Sequence, residues 1–227
     1  MSRGDAARRE YVVEASTPPE RIPALYSRAA WRHDLWAWVF EGHAHRLLLE
    51  RAAGREGEAL LELGCGSGGQ LVALARENRS GRVAGVDVAP GMLAAARHRL
   101  DSTGMGSVEL HEADARELPF AAGEFDVAVG AFVLDLLPRA DIPRVLGEVG
   151  RVLAPGGRVV LASMTRAERR RHGFWDALYA RGLSLSGGCR GVLAAPVLAE
   201  LGFADVRREY LSRLLLPIEL VTAHLPR

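Results

Sequence analysis

Leu60-Leu61-Glu62-Leu63-Gly64-Cys65-Gly66-Ser67-Gly68-Gly69 is the stretch of this 227-residue chain that decides its fold. The apolar run 59–63 predicts a buried strand, and four glycines follow within six residues. Behind them, residues 70–77 carry apolar side chains at helical spacing. A strand, a glycine turn and a helix can bring backbone N–H groups close to a nucleotide-like ligand, where larger side chains would block the approach.

The glycines of this turn fit two templates. Gly64, Gly66 and Gly68 form G-x-G-x-G, whereas Gly64, Gly66 and Gly69 form G-x-G-x-x-G, the dinucleotide fingerprint. The turn alone therefore indicates an adenosine-type ligand and leaves open which one.

The composition is that of an ordinary globular protein, with 48% apolar and 25% charged residues. A net charge of +1 gives no general attraction for nucleic acid, so we expect no nucleic-acid partner. All 29 basic residues are arginine, which excludes a Schiff-base lysine and a P-loop lysine. One of the two cysteines lies inside the glycine turn, which argues against a structural disulfide and favours a reducing compartment.

The N-terminal residues 1–10 are charged and lack the apolar region of a signal peptide. No apolar run reaches the roughly 18 residues that a membrane span requires. We therefore expect a cytoplasmic protein without an integral membrane segment. An arginine cluster at Arg166, Arg169, Arg170 and Arg171 is compatible with peripheral contact to an acidic lipid surface or with a solvated helix end.

From residue 59 onward the pattern alternates between strands and helices, which predicts a doubly wound parallel sheet. After residue 202 two strands without an intervening helix, 204–211 and 214–222, predict an antiparallel hairpin that turns around Ser212-Arg213. The other predicted strands are 59–63, 82–87, 108–112, 125–131 and 157–163, and the predicted helices are 70–78, 91–100, 140–153, 167–180 and 192–201.

The region before the first strand divides into two parts. Residues 1–20 are polar and predict a flexible arm. Residues 21–55 contain three of the four tryptophans and predict one or two helices, which either pack onto the core or form an apolar lid over a pocket. With residues 56–227 as the core, 21–227 is expected to be a single domain.

Two aspartates follow predicted strands at the same edge of the sheet. Asp87 ends the second strand, 23 residues after Gly64, where a carboxylate binds ribose hydroxyls or caps the next helix. Asp114 follows the third strand, where a carboxylate can reach an adenine amino group or remain in a solvated loop.

Few residues in the sequence offer acid–base or metal chemistry. His33, Asp135 and His172 are the polar candidates for a catalytic role near a pocket mouth. His43 and His45 are two residues apart and would point in different directions on a helix, so no metal site is predicted.

At this point the sequence resembles a known family, the class I S-adenosylmethionine-dependent methyltransferases. The similar branch includes the ubiquinone/menaquinone-biosynthesis C-methyltransferases and bacterial phospholipid N-methyltransferases. Glu62, two residues before the first glycine, fits this family better than the nicotinamide template. The motifs that carry the resemblance lie at 62–68, 85–93, 113–120, 125–127 and 153–157.

The resemblance implies a Rossmann-like sheet of seven strands in the order 3-2-1-4-5-7-6, with the last strand antiparallel, helices on both faces and an N-terminal helical lid. It also implies S-adenosylmethionine as the cofactor and S-adenosylhomocysteine as the product. The cofactor-binding residues that it implies are Tyr26, Glu62, Gly64, Gly66, Gly68, Asp87, Val88, Met92, Asp114, Ala115 and Ala131.

The resemblance also implies a role for each of these positions. The glycines would flank the methionine part of the cofactor, Glu62 would hold its amino end and Tyr26 its carboxylate. Asp87 would bind the ribose, and Val88 with Met92 would line the adenine slot. The remaining contacts are the adenine edge for Asp114 and Ala115, and the sulfonium side for Ala131.

The predicted function is in-line methyl transfer from S-adenosylmethionine to a small apolar or amphipathic acceptor, by a monomer or a homodimer. Two alternatives remain open from the sequence: a nicotinamide-dependent oxidoreductase, and a non-catalytic S-adenosylmethionine-binding protein that has kept the fold.

Overall fold

The computed structural model describes residues 42–52, 56–165, 168, 191–213 and 216–227. Among these residues, no helix is both long and apolar enough to cross a bilayer. The elements in chain order are α1 (Gly42–Ala52), β1 (Leu60–Leu63), α2 (Gly69–Glu77), β2 (Val83–Asp87), α3 (Pro90–Ser102), β3 (Glu109–Glu112), β4 (Phe125–Ala131), α4 (Ile142–Val152), β5 (Leu153–Met164), α5 (Ala194–Glu200), β6 (Ala204–Arg213) and β7 (Leu216–His224).

The strands form one seven-stranded sheet in the order β3-β2-β1-β4-β5-β7-β6. The central strand β1 pairs in parallel with β2 and β4, while β7 runs antiparallel to both β5 and β6. The predicted strand order and the antiparallel last strand are confirmed. The order reverses direction between β1 and β4, which is the place where open sheets of this type bind ligands.

Helices cover both faces of the sheet, as predicted. One core lies between the sheet and α1, α2 and α3, and the other lies between the sheet and α4 and α5. Strand β1 alternates between them: Leu60 belongs to the first core, whereas Leu61 and Leu63 belong to the second. All four β1 side chains are buried, which explains the uninterrupted apolar pattern around Glu62.

Helix α1 is the part of the predicted lid that falls within the described residues. Its buried side chains Ala44 and Leu48 belong to the first core, and the helix packs on β4 and β5. At its C-terminal end, the Arg158 guanidinium donates to the Ala52 carbonyl at 2.9 Å through Nε and pairs with Glu58 at 2.8 Å. These bonds fix the end of α1 near the start of β5. The rest of the lid lies outside the described residues and stays a prediction, as does the arm at 1–20.

Most predicted boundaries in the described residues agree with the structure to within two residues, and two are wrong about where the chain turns. The strand predicted to begin at residue 157 begins at Leu153, because the Pro155-Gly156 pair forms an irregularity in the pairing of β5 with β4 and not a separate turn. The turn predicted at Ser212-Arg213 is also misplaced. Both residues belong to β6 and pair with Pro217 and Leu216 of β7.

Candidate functional site

The predicted site residues of the core lie at the C-terminal ends of the parallel strands β1, β2, β3 and β4. The loop after β1 is the glycine turn. Its Cys65 N–H donates to the Val86 carbonyl of β2 at 2.9 Å, and the Ala113 N–H after β3 donates to the Asp87 carbonyl at 3.1 Å. These bonds tie the loops of three neighbouring strands together. They form the frame of the candidate site.

The glycines of the turn serve different purposes. All three predicted positions have positive φ, namely +60° at Gly64, +51° at Gly66 and +78° at Gly68. A Cβ at Gly64 would lie 2.9 Å from Val133 Cγ2, and one at Gly68 would lie 3.0 Å from the Ala96 Cβ on α3. At Gly66 a Cβ would meet no described atom within 4 Å. The first and third glycines therefore allow close packing within the protein, and only Gly66 presents an open face to a ligand.

Asp87 joins the glycine turn to the loop after β2. Its Oδ2 accepts a hydrogen bond from the Gly66 N–H at 2.9 Å, and its Oδ1 accepts one from the Ala89 N–H at 2.8 Å. The N-cap residue of α3 is Ala89, with no side-chain cap bond, so Asp87 is not an N-cap in the usual sense. Each carboxylate oxygen has two lone pairs and can still accept a hydroxyl. The position is compatible with the predicted ribose contact.

Glu62 is a buried carboxyl group at the centre of the site. It lies on β1 between Val129 and Gly85, is 3% exposed, and its Oε2 has no hydrogen-bond partner among the described residues. Burial, and then the nearby charge of Asp87, raise the pKa of Glu62 well above its ordinary value. A buried acid without a partner is costly unless it meets a cation. The ammonium group of a methionine-derived cofactor fits this requirement.

An apolar side chain is exposed beside Asp87. Val88 follows the end of β2 and is 44% exposed, which is unusual for valine. Met92, in the first turn of α3, is 1% exposed and lies within the protein interior. Val88 thus provides an open apolar surface suited to a planar base, while Met92 is buried and its predicted contact with the adenine stays a prediction.

The loop after β3 contains an ion pair that was not predicted from the sequence. Nε of Arg116 donates to both oxygens of Asp114 at 3.0 Å, and Nη1 donates to Asp141 at 2.8 Å. Hydrogen bonds from Arg116 lower the pKa of Asp114. Asp114 is therefore neither free nor simply solvated, and Ala115 beside it is half-buried. The Asp-x-Arg spacing could have suggested the local pair, but not the contact across 25 residues to Asp141.

The end of β4 has an unusual backbone conformation. Phe132, directly after Ala131, has a φ of +56°, which costs a residue with a Cβ about 1–2 kcal/mol. The Phe132 N–H donates to the Ala162 carbonyl at 2.7 Å, and its ring meets the His45 ring edge-on with centroids 5.8 Å apart. Such strain is concentrated at functional sites. No local sequence pattern predicts this conformation.

Asp135 lies in a short 3-10 turn after β4 and is fully buried. Its Oδ2 accepts a hydrogen bond from the Met164 N–H at 2.8 Å, so the carboxylate joins the loop after β4 to the end of β5. This contact gives Asp135 a structural task. Its catalytic role stays a prediction.

A third buried acid lies beside the end of β5. Glu219 of β7 accepts hydrogen bonds from the Ala194 N–H at the start of α5 and from Nε of Arg208, both at 2.7 Å. Burial raises the pKa of Glu219 despite these two donors. Arg208 also donates to the Thr165 hydroxyl at 3.1 Å. The network anchors α5 and the end of β5 to the antiparallel strands.

The remaining site predictions lie outside the described residues. They are Tyr26 for the cofactor carboxylate, and His33 and His172 as catalytic candidates. Among the residues that the structure does describe, no group of three or more His, Cys, Asp or Glu side chains is arranged to hold a metal ion. Cys65 is a free, buried thiol whose pKa is raised mainly by burial, which makes it a packing residue and not a nucleophile.

Comparison with known proteins shows which family has this sequence and fold. A family model described as a methyltransferase domain matches residues 60–157. The demethylmenaquinone methyltransferase of Thermus thermophilus is 36% identical over 141 residues, which make up 60% of this chain and 63% of that protein. The 2-phytyl-1,4-naphtoquinone methyltransferase of Nostoc sp. is 32% identical over 158 residues, or 66% of this chain and 68% of that protein.

A solved structure agrees with these relatives. The S-adenosylmethionine-dependent methyltransferase SibL superimposes with a TM-score of 0.68 at 26% identity, covering 85% of this chain and 57% of that one. The chain spans less than two thirds of the length of the first curated relatives that it matches.

The chain belongs to the class I S-adenosylmethionine-dependent methyltransferase family. Within it, the relatives place the chain in the branch of the ubiquinone and menaquinone methyltransferases. The family resemblance stated from the sequence is confirmed.

Proposed function

We propose that this protein transfers the methyl group of S-adenosylmethionine to a small aromatic acceptor of the quinol type. The observation that carries the cofactor assignment is the arrangement at the C-terminal ends of the strands, where the open face of Gly66 lies beside Asp87 and near the buried Glu62, whose Oε2 has no partner among the described residues. The acceptor class comes from the relatives, whose names specify demethylmenaquinone and a phytyl naphthoquinone.

The cofactor supplies an activated methyl group on a sulfonium, so the protein's main tasks are to position the acceptor and to exclude water. Asp87 would accept hydrogen bonds from the ribose hydroxyls, and Val88 would contact the adenine. Glu62 would bind the ammonium group. These residues need to hold the cofactor in one orientation, because an in-line displacement tolerates little misalignment.

The end of β4 would face the reacting side. Ala131 ends the strand, and the strained conformation of Phe132 redirects the chain immediately after it. The half-buried ring of His45, which lies edge-on against the buried ring of Phe132, offers an aromatic surface next to this point. Such a surface suits a flat, apolar acceptor.

The experiment is a binding titration followed by a turnover assay. S-adenosylhomocysteine should bind in calorimetry, whereas NAD should not. Transfer of a labelled methyl group should then occur to a short-chain prenylated 1,4-naphthoquinone in its reduced form. The same compound in its oxidised form should be inert, because the attacking atom must be electron-rich.

The outcomes separate the proposal from its alternatives. Binding of NAD in place of S-adenosylhomocysteine would point to the oxidoreductase. Binding of S-adenosylhomocysteine without turnover of any quinol would point to a non-catalytic protein. The comparisons give neither alternative support.

A further inference from the structure

A glutamine in the first turn of α2 is buried without hydrogen bonds. Gln70 follows the glycine turn directly, is 9% exposed, and neither Oε1 nor Nε2 of its amide has a partner among the described residues. Burying an amide without a partner costs free energy. A glutamine with this environment is better explained by a ligand than by packing alone, since leucine would fill the same space without that cost.

The neighbours of Gln70 determine the side of α2 on which it lies. A Cβ on the preceding residue, Gly69, would lie 3.0 Å from Nη1 of Arg99 on α3, whereas the following Leu71 packs toward Gly85 on β2. At 100° per residue, Gln70 is then on the flank of α2 that faces away from α3. Helix α1 packs on α2 and on β4. Gln70 therefore lies on the side of the site nearer to β4.

The Glu62 side chain lies on the face of the sheet that is covered by α2, the helix that carries Gln70. Its neighbours Leu61 and Leu63 belong to the core beneath α4 and α5, so the alternation of β1 directs Glu62 to the face covered by α2. Its Oε2 also lacks a partner among the described residues. Two buried polar groups without partners thus share one face of the sheet, close to the glycine turn.

The N-terminus of α2 provides a place where an anion can bind. The N-cap residue is Gly68, which provides no side-chain cap, so the positive end of the helix is available to an anion. An α-amino acid carries both an ammonium and a carboxylate group. The ammonium matches Glu62 and the amide oxygen of Gln70, while the carboxylate matches the amide NH₂ and the helix N-terminus.

We infer that Gln70 binds the amino-acid end of the cofactor, bridging its ammonium and carboxylate groups beside Glu62. This inference rests on the proposed function and adds a binding residue to it. It predicts that Gln70 contributes to affinity only for ligands that have an amino-acid end.

The test compares two ligands by calorimetry. S-adenosylhomocysteine has the amino-acid end, whereas 5′-methylthioadenosine has the same adenine, ribose and sulfur without it. Gln70→Met keeps the size of the side chain and removes its hydrogen bonds. We expect it to weaken S-adenosylhomocysteine binding about tenfold or more and to change 5′-methylthioadenosine binding less than twofold.

Two further variants keep the test decisive. Gln70→Glu places a negative charge opposite the ligand carboxylate and should weaken S-adenosylhomocysteine at least as strongly as Gln70→Met, again sparing 5′-methylthioadenosine. Asp87→Ala, by contrast, should weaken both ligands, because both contain the ribose.

The inference is overturned if both glutamine variants bind S-adenosylhomocysteine like the wild type, or if both ligands weaken equally. It is also overturned if only the acceptor KM changes, because Gln70 would then contact the acceptor. If the wild type binds neither ligand, the proposed function itself fails. Selective loss of S-adenosylhomocysteine in both variants supports the inference.

Discussion

Gly66 and Gly68 are two residues apart, and the structure predicts opposite consequences for the same substitution. Both have positive φ, which costs alanine about 1–2 kcal/mol relative to glycine. Alanine also lowers the entropy of the unfolded chain, which offsets about 0.4–1 kcal/mol of that cost. Gly66→Ala introduces no further contact, because no described atom lies within 4 Å of the new methyl. The expected loss of stability is about 1 kcal/mol.

Gly68→Ala has an additional cost. The new methyl would lie 3.0 Å from the Ala96 Cβ and 3.1 Å from its Cα, and these are atoms that cannot move unless α3 shifts. Overpacking of this kind costs about 1–3 kcal/mol. Together with the backbone term, the expected loss of stability is about 2–4 kcal/mol.

Ligand binding should follow the reverse order. Gly66→Ala places a methyl on the face that we assign to the cofactor, so S-adenosylhomocysteine affinity should fall more than tenfold. Gly68→Ala should lower that affinity much less, because its methyl points toward α3. Urea unfolding measures the stabilities of the two variants, and calorimetry measures the affinities.

The reasoning is refuted if Gly66→Ala binds S-adenosylhomocysteine like the wild type, or if it is destabilised as much as Gly68→Ala. Either result would mean that the open face at Gly66 is not where the cofactor approaches. A thermal melt provides a second measurement, since 1 kcal/mol corresponds to about 2–4 °C for a chain of this size.

Three further predictions concern buried or charged side chains. Asp87→Ala should weaken S-adenosylhomocysteine at least about tenfold in calorimetry, and unchanged affinity would exclude the ribose contact. Because the pKa of Glu62 is raised in the folded protein, the free protein should lose stability as pH rises above the unfolded value of about 4.5. Ligand binding should release a proton, seen in buffers of different ionisation enthalpy, and Glu62→Gln should abolish both effects. Arg208→Leu leaves Glu219 buried without its cation and should cost about 3–5 kcal/mol in urea unfolding; adding Glu219→Gln should restore part of this, and no recovery would contradict the pairing.

Most of the sheet could be predicted because its strands are buried on both faces and therefore read as continuous apolar runs. Strand β4 was predicted to the residue, and the hairpin followed from the absence of a helix between its strands. The two wrong boundaries have different causes. Proline and glycine at 155–156 are typical of a turn, but there the chain continues in the sheet through an irregular pairing. Ser212 and Arg213 are polar residues between two apolar runs, but both pair with β7.

The candidate site was only partly predictable. Asp87 and Glu62 could be recognised because they break apolar patterns at strand positions. Gln70 could not, since a polar residue in the first turn of an amphipathic helix ordinarily faces solvent. The conformation of Phe132 depends on its bond to Ala162, thirty residues away in sequence, and no local pattern encodes that bond.

The role of each glycine in the turn also could not be predicted from the sequence. A count of glycines in the turn predicts close approach of a ligand, but the structure assigns Gly64 and Gly68 to contacts with Val133 and Ala96. Tertiary packing and ligand binding select the same residue type for different steric reasons. Sequence spacing alone does not separate the two.

The two outer strands of the sheet bear on how copies of this protein can associate. In the sheet formed by the described residues, β3 is one edge and is only four residues long, with Glu109, His111 and Glu112 among them. Short, charged edges discourage the pairing of strands between molecules.

The opposite edge, β6, is longer but equally unsuited to such pairing. It carries Arg207, Arg208 and Glu209 in succession, and its pairing with β7 shifts register near Asp205, whose φ is +51°. A bulge of this kind twists an edge away from a would-be neighbour. The sheet formed by the described residues therefore disfavours a homodimer in which β3 or β6 pairs with a strand of a second copy.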